Sequence, residues 1–174
     1  MTRRAVMIRA INVGGATVPM KELRSIAGNL GATDISTYIA SGNLICTPPC
    51  RPDHFDRALE TAIEQRYGFF REVISRSRDE LVGALDAHPF DVLDDTFSYV
   101  HFLVAAPPED KRESFSDKTF GDDVCQVIGS DLHIRYAAGA GTSKLTAPVI
   151  ARGLGVQGTG RNLRTVRTLI EMVS

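Results

Sequence analysis

Three arginines spaced three apart, Arg161, Arg164 and Arg167, close this chain, and a glycine-rich run with a Ser-Lys pair, Gly139 to Lys144, precedes them. Guanidinium groups suit bidentate contact with phosphate or carboxylate, and a turn that opens a helix presents backbone N–H groups to an anion. At helical spacing the arginines share one stripe, with Val166, Leu169, Ile170 and Val173 opposite. The plain alternative is a solvated basic face with Glu171 as partial partner. Gly139–Lys144 is not a phosphate loop, because the required spacer before Gly-Lys is absent and no acidic magnesium partner is identifiable. A milder reading remains. Thr142 or Ser143 caps a helix, and Lys144 lies in its first turn, where its conflict with the helix dipole either costs a few tenths of a kcal/mol or is relieved by a bound anion or an acidic neighbour. Thr159 and Asn162 are candidate caps of the last helix.

Two further constellations lie near the start. In Arg9-Ala10-Ile11-Asn12-Val13-Gly14-Gly15 a strand ends, Gly14 and Gly15 turn, and a helix follows, so backbone N–H groups can face an anion. A third spaced glycine is missing, so this is not a dinucleotide fingerprint. Arg9 reads as lying inside an apolar strand, where its charge must reach solvent, a carboxylate or a ligand. In Ser41-Gly42-Asn43 the side chains can bond a ligand or close their own hairpin. The candidate ligand-binding set is therefore Arg9, Asn12, Gly14, Gly15, Ser41, Gly42, Asn43, Ser143, Lys144, Arg161, Asn162 and Arg164.

Other chemistry is poorly supported. His54, His88, His101 and His133 are scattered, and none pairs in sequence with another. Cys46, Cys50 and His54 are four apart, but Pro48, Pro49 and Pro52 keep that stretch from presenting one helical face, and no fourth ligand is apparent, so no metal site is expected. No cysteine has an activating neighbour apart from Arg51 beside Cys50. The run Asp91, Asp94, Asp95 reads as a solvated loop. No acid, base or nucleophile stands out, so the residues name neither a reaction nor a cofactor.

The elements that must carry these residues follow from periodicity. "AVMIRAINV" is a strand, and "VPMKELRSIAGNLG" a helix with Leu23, Ile26, Ala27 and Leu30 on one face. "DISTYIASGNLICT" is a pair of strands around Ser41–Asn43. "DHFDRALETAIEQRYG" is a helix with Asp53 as candidate cap and Phe55, Leu59, Ala62 and Ile63 inward, and "REVISRS" is a strand. This is the ferredoxin-like βαββαβ order. The second half repeats strand, helix, hairpin, helix: "SYVHFLVAA", "DKRESFSDKTFG" as a helix or irregular segment, a hairpin turning at Gly129-Ser130-Asp131, then helical segments around 143–154 and 162–172. "RDELVGALDAHP" is a helix before it, and "APPEDKRE" a surface loop. The fold class is α+β with two ferredoxin-like halves, residues 1–76 and 77–174, the second ending in helical segments.

Several stretches resemble a known family. "IRAINVGG" is similar to its "LRGINVGG" opening and "YIASGN" to "YIQSGN". "TSKL" and "TGRNLRTV" are similar to the closing "RSKL" and "TxRNxxT". On these motifs, in order along nearly the whole chain, the sequence is identified as a member of domain of unknown function sixteen-ninety-seven, a bacterial family. It departs at Ala10, where the family carries glycine, and at Leu163, where it often carries an aromatic residue. The resemblance implies a compact α+β protein with ferredoxin-like halves and no particular activity.

Composition bounds the function. Across 174 residues, 43% are hydrophobic and 24% charged, which suits a globular core. A formal net charge of -1 supplies no global field for nucleic acid, so any basic site is local. Three cysteines without regular spacing fit a reducing cytosol, and the apolar run after the basic start breaks at Arg9, so neither a signal peptide nor a membrane span is expected. The leading expectation is a cytosolic protein that binds a phosphate-bearing small molecule or nucleotide. A nucleic-acid-binding module comes second, because the candidate strands "AVMIRAINV" and "REVISRS" lack the stacking aromatics such sheets use. A structural or oligomerising protein with no ligand is the third reading.

Overall fold

β1 (Arg4–Ile8), α1 (Met20–Asn29), β2 (Thr33–Tyr38), β3 (Asn43–Thr47), α2 (Pro52–Tyr67) and β4 (Val73–Ser77) follow one another in the computed structural model, which describes residues Met1–Ser174. After α3 (Arg78–Asp86) the pattern recurs as β5 (Ser98–Leu103), α4 (Glu109–Ser116), β6 (Val124–Ile128), β7 (Asp131–Arg135), α5 (Ala147–Leu154) and β8 (Gly158–Asn162), and α6 (Leu163–Met172) closes the chain. Each half builds a four-stranded antiparallel sheet, ordered β2-β3-β1-β4 and β6-β7-β5-β8, so the two are strand-for-strand equivalents. The chain separates into two units: Met1–Val82 with Leu169–Ser174, and Gly83–Thr168. The sequence reading divides it at 76/77 instead, inside β4.

In the first unit Val6 and Ile8 of β1, Leu44 and Cys46 of β3 and Val73 of β4 meet Leu23 and Ala27 of α1 and Phe55, Leu59 and Ile63 of α2. The apolar spacing of the two helices therefore does what periodicity asks of it. Asp53 does not cap α2. Arg51 occupies the cap position without a side-chain bond, Pro52 starts the helix, and Asp53 pairs with Arg51 at 3.1 Å. The chain enters α3 through Ser77 and Glu80, whose side chains accept each other's backbone N–H at 3.2 and 2.7 Å, a reciprocal capping box.

In the second unit Leu103, Val127, Leu132 and Ile134 pack against Phe115 of α4 and Ile150 and Leu154 of α5. Three expectations need correction here. The polar "APPEDKRE" is loop only at its start: Pro108 sets the entry to α4, which begins at Glu109, one residue before the overlapping helical reading of "DKRESFSDKTFG". The helical segment expected from residue 143 begins at Ala147. "GTGRN" is not the approach to a helix but β8, the fourth strand. It pairs with β5 through Gly160 opposite His101 and Arg161 opposite Val100. Glycine serves at Gly158 because an added Cβ would lie 2.6 Å from the Phe102 carbonyl and 2.8 Å from the His101 ring.

Candidate functional site

The loop after β1 and the turn between β2 and β3 are tied together by one side chain. Asn12 donates from Nδ2 to the Val18 carbonyl (2.9 Å) and the Ala40 carbonyl (2.6 Å), and its Oδ1 accepts the Val18 N–H (2.8 Å). The Asn12 N–H donates to the Ala16 carbonyl at 2.6 Å. Asparagine suits the place because its backbone is left-handed, φ 58°. Ala10 (φ 49°) and Ile39 (φ 49°) share that region with Gly14, Gly15 and Gly42. Ala10 thus keeps the conformation natural to the glycine of the resembling family. A β-branched residue such as Ile39 rarely adopts it. Asn12→Ala removes three side-chain bonds and should cost about 2 kcal/mol in urea unfolding. Asn12→Asp, which sets a carboxylate oxygen against both carbonyls, should lose at least as much.

Gly14 and Gly15 are exposed, and nothing stands within 4 Å of where a Cβ would be. Gly42 is the opposite case, closely enclosed by Ile8 and Ile11. Asn43 is buried and donates to the Tyr38 carbonyl (3.1 Å) and Ser41 Oγ (3.3 Å), so Ser41–Asn43 does close its own hairpin. Arg9 is not inside the strand. It lies one residue past β1 and pairs with Glu72, the carboxylate partner its position demands. Arg71, which the sequence reading passes over, has no such partner. Its guanidinium reaches the carbonyls of Phe70 (2.8 Å) and Ala10 (3.5 Å) and lies 5.1 Å over the Phe69 ring.

The candidates of the second unit do not form the expected arrangement. Arg161 belongs to β8 and Arg164 and Arg167 to α6, so no single helical stripe exists. Arg161 is buried, bonds Thr159 Oγ1 (2.7 Å) and the Gly160 carbonyl (2.9 Å), and burial pulls its pKa down to about 10. Arg167 pairs with Asp95 at 3.1 Å, and the Arg164 charge acts on Asp94. The acidic run and the basic helix, read separately in the sequence, are each other's partners. Asn162 caps α6 by accepting the Thr165 N–H at 2.9 Å, as expected. Ser143 caps no helix: it bonds the Asp123 carboxylate and accepts the Leu145 N–H at 2.9 Å. Lys144 is exposed, three residues before α5 and outside its first turn.

Two of the three cysteines are held as thiols. Burial holds the Cys46 thiol well above its usual range, and burial with the Asp123 charge pushes Cys125 up to about 11. Such thiols stay protonated and weakly nucleophilic. Burial, followed by the Arg161 charge, pulls His101 down to about 4. Burial, followed by His88, does the same to His133. Both rings are neutral at pH 7. The His88–His133 contact, 3.2 Å between Nδ1 atoms, had no sequence signal, because 45 positions separate the partners.

The chain matches the family model described as protein of unknown function DUF1697 over residues 1–133, and it belongs to that family. No curated protein matches it. Among solved structures it is similar to the conserved bacterial protein SP0830 from Streptococcus pneumoniae, at 24% identity over 99% of each chain with a TM-score of 0.78, which is a likeness of fold.

Proposed function

We propose that the first unit binds a phosphate-bearing small molecule, such as a nucleotide or sugar phosphate, across the Asn12–Gly15 loop and the Ile39–Asn43 turn. The observation that carries this reading is the clasped pair of loops, which holds Ala10, Asn12 and Ile39 left-handed beside three glycines. Such backbone costs about 1–3 kcal/mol per residue and gathers where a ligand is held. The open space over Gly14 and Gly15 leaves room for an anion, and Arg71, with no carboxylate partner, supplies the charge. Ser143, Lys144, Arg161, Asn162 and Arg164 are not needed for it.

Two observations favour a small molecule over nucleic acid. The aromatics of central strand β5 are turned to other work: Phe102 is fully buried, and Tyr99 packs edge-to-face on Tyr136 at 5.2 Å. The arginines of α6 already face Asp94 and Asp95. The test is a thermal-shift panel of inorganic phosphate, sugar phosphates, nucleotides and short oligonucleotides at low and high salt. One phosphate compound should raise the melting temperature by several degrees at both salt concentrations. Arg71→Ala should remove that rise while leaving the unliganded melting temperature within a degree or two. Stabilisation by oligonucleotides alone, lost at high salt, would transfer the reading to nucleic acid. No shift with any compound would leave the loops as scaffold.

A further inference from the structure

His88 follows α3, and His133 sits in the middle of β7, where it is fully buried. Their Nδ1 atoms are 3.2 Å apart, so one ring donates and the other accepts. Both Nε2 atoms are buried with no hydrogen-bond partner. A shared metal ion does not suit this pair. Ligating histidines hold their second nitrogen on a carboxylate, carbonyl or water, and neither ring has one. The pair instead works only while at least one Nδ1 carries a lone pair. A single proton is shared between the two Nδ1 atoms, so the contact itself survives it, but the positive charge is then buried with both Nε2–H groups unpartnered.

The surroundings offer that proton nothing. From the connection between α3 and β5, Phe90 meets His88 edge-on at 5.7 Å, and Arg135 of β7 reaches over the Phe90 ring and toward the Asp91 carbonyl. On the same face of the sheet, Gln126 of β6 and Val100 of β5 stand opposite His133, with Arg161 of β8 next in the row. Asp131, two residues along β7, has a partner of its own, and its charge is not among those acting on either ring. The charge acting on His88 is Arg135, and the one acting on His133 is His88, both repelling a proton.

We propose that the His88–His133 contact is an acid-opened latch, which holds the α3–β5 connection on the second sheet while the rings are neutral and releases it when one is protonated. The connection also carries Asp95, whose carboxylate pairs with Arg167 and whose carbonyl accepts the Leu163 N–H, so release loosens the start of α6. Exposed Val92 and Leu93 lie on the same connection.

The sign follows from the neutral, buried ring. His133 titrates near 4 when folded and near 6.5 when free, so the open state binds more protons between those values and gains as pH falls. At pH 5 the opening constant should be about 30-fold larger than at pH 7.5. Hydrogen exchange of residues 85–97, corrected for its intrinsic pH dependence, reads this directly. Wild type should lose protection there at pH 5 by about that factor, with β1 unchanged. His133→Leu should lose most of the acid opening, and His88→Lys should be open at pH 7.5. Equal protection of wild type at the two pH values, undiminished acid opening in His133→Leu, or β1 losing protection in step would each overturn the latch.

Discussion

Gly42→Ala is expected to destabilise the first unit by about 3–4 kcal/mol, the sum of left-handed strain and overpacking. Gly42 has φ 90°, and an added Cβ would sit 2.8 Å from the Ile8 carbonyl oxygen and 2.9 Å from Ile11 Cγ1. The turn cannot back away, because the Gly42 carbonyl accepts the Ile8 N–H at 2.9 Å and Asn43 is fixed beneath it. Gly14→Ala is the matched control. Its φ of 64° carries the same kind of strain, but the added methyl meets nothing within 4 Å, so the cost should be about 1 kcal/mol. Urea unfolding of both variants separates the roles: one glycine holds the scaffold, and the other borders open space. If the two variants cost the same, the close approach at Gly42 does not constrain the protein.

That contrast also marks what a sequence can carry. Gly14-Gly15 and Ser41–Asn43 are legible as turns because glycine, asparagine and serine have local reasons to be there. What Asn12 holds is not legible, since Ala40 lies 28 residues away and offers only a carbonyl, which every residue has. The arginine stripe fails for a related reason. Spacing three apart is helical only if a helix starts early enough, and β8 takes Arg161 first. β8 itself is hidden because its two glycines are chosen for contact with His101 and Phe102, not for strand propensity. The pairing of Asp95 with Arg167 spans 72 positions, and local pattern has no means of matching the two. The repeat of halves, by contrast, survives weak residue identity, since alternating strands and amphipathic helices specify it many times over.

The second large effect comes from a residue that helical periodicity assigns to solvent. Asp56 and Glu60 are buried, one turn apart on α2, beside the free edge of β4. Asp56 Oδ2 accepts the Ser75 N–H (3.2 Å) and hydroxyl (2.8 Å), and Glu60 Oε1 accepts the Val73 N–H (2.9 Å). Arg57 donates to the Val73 carbonyl at 2.8 Å, so helix side chains occupy the edge where another strand would pair. Asp56 Oδ1 is buried without a partner, and burial outweighs the Ser75 bonds to raise its pKa to about 6. The folded state therefore keeps a proton that the unfolded state releases near pH 4. Stability contributed at this residue falls as pH rises from about 4 to about 6, by about 3 kcal/mol, and is flat above that. Asp56→Asn keeps an acceptor for Ser75 but cannot ionise. Its stability relative to wild type should increase by 2–3 kcal/mol, to within about 1 kcal/mol, between pH 4 and pH 7 in urea unfolding. Taking the difference matters, because the buried histidines act with the opposite sign over part of the same range. A difference that stays constant with pH would mean that Asp56 ionises in place at the usual carboxylate value. The charged carboxylate, rather than its neutral form, would then seal the β4 edge at neutral pH.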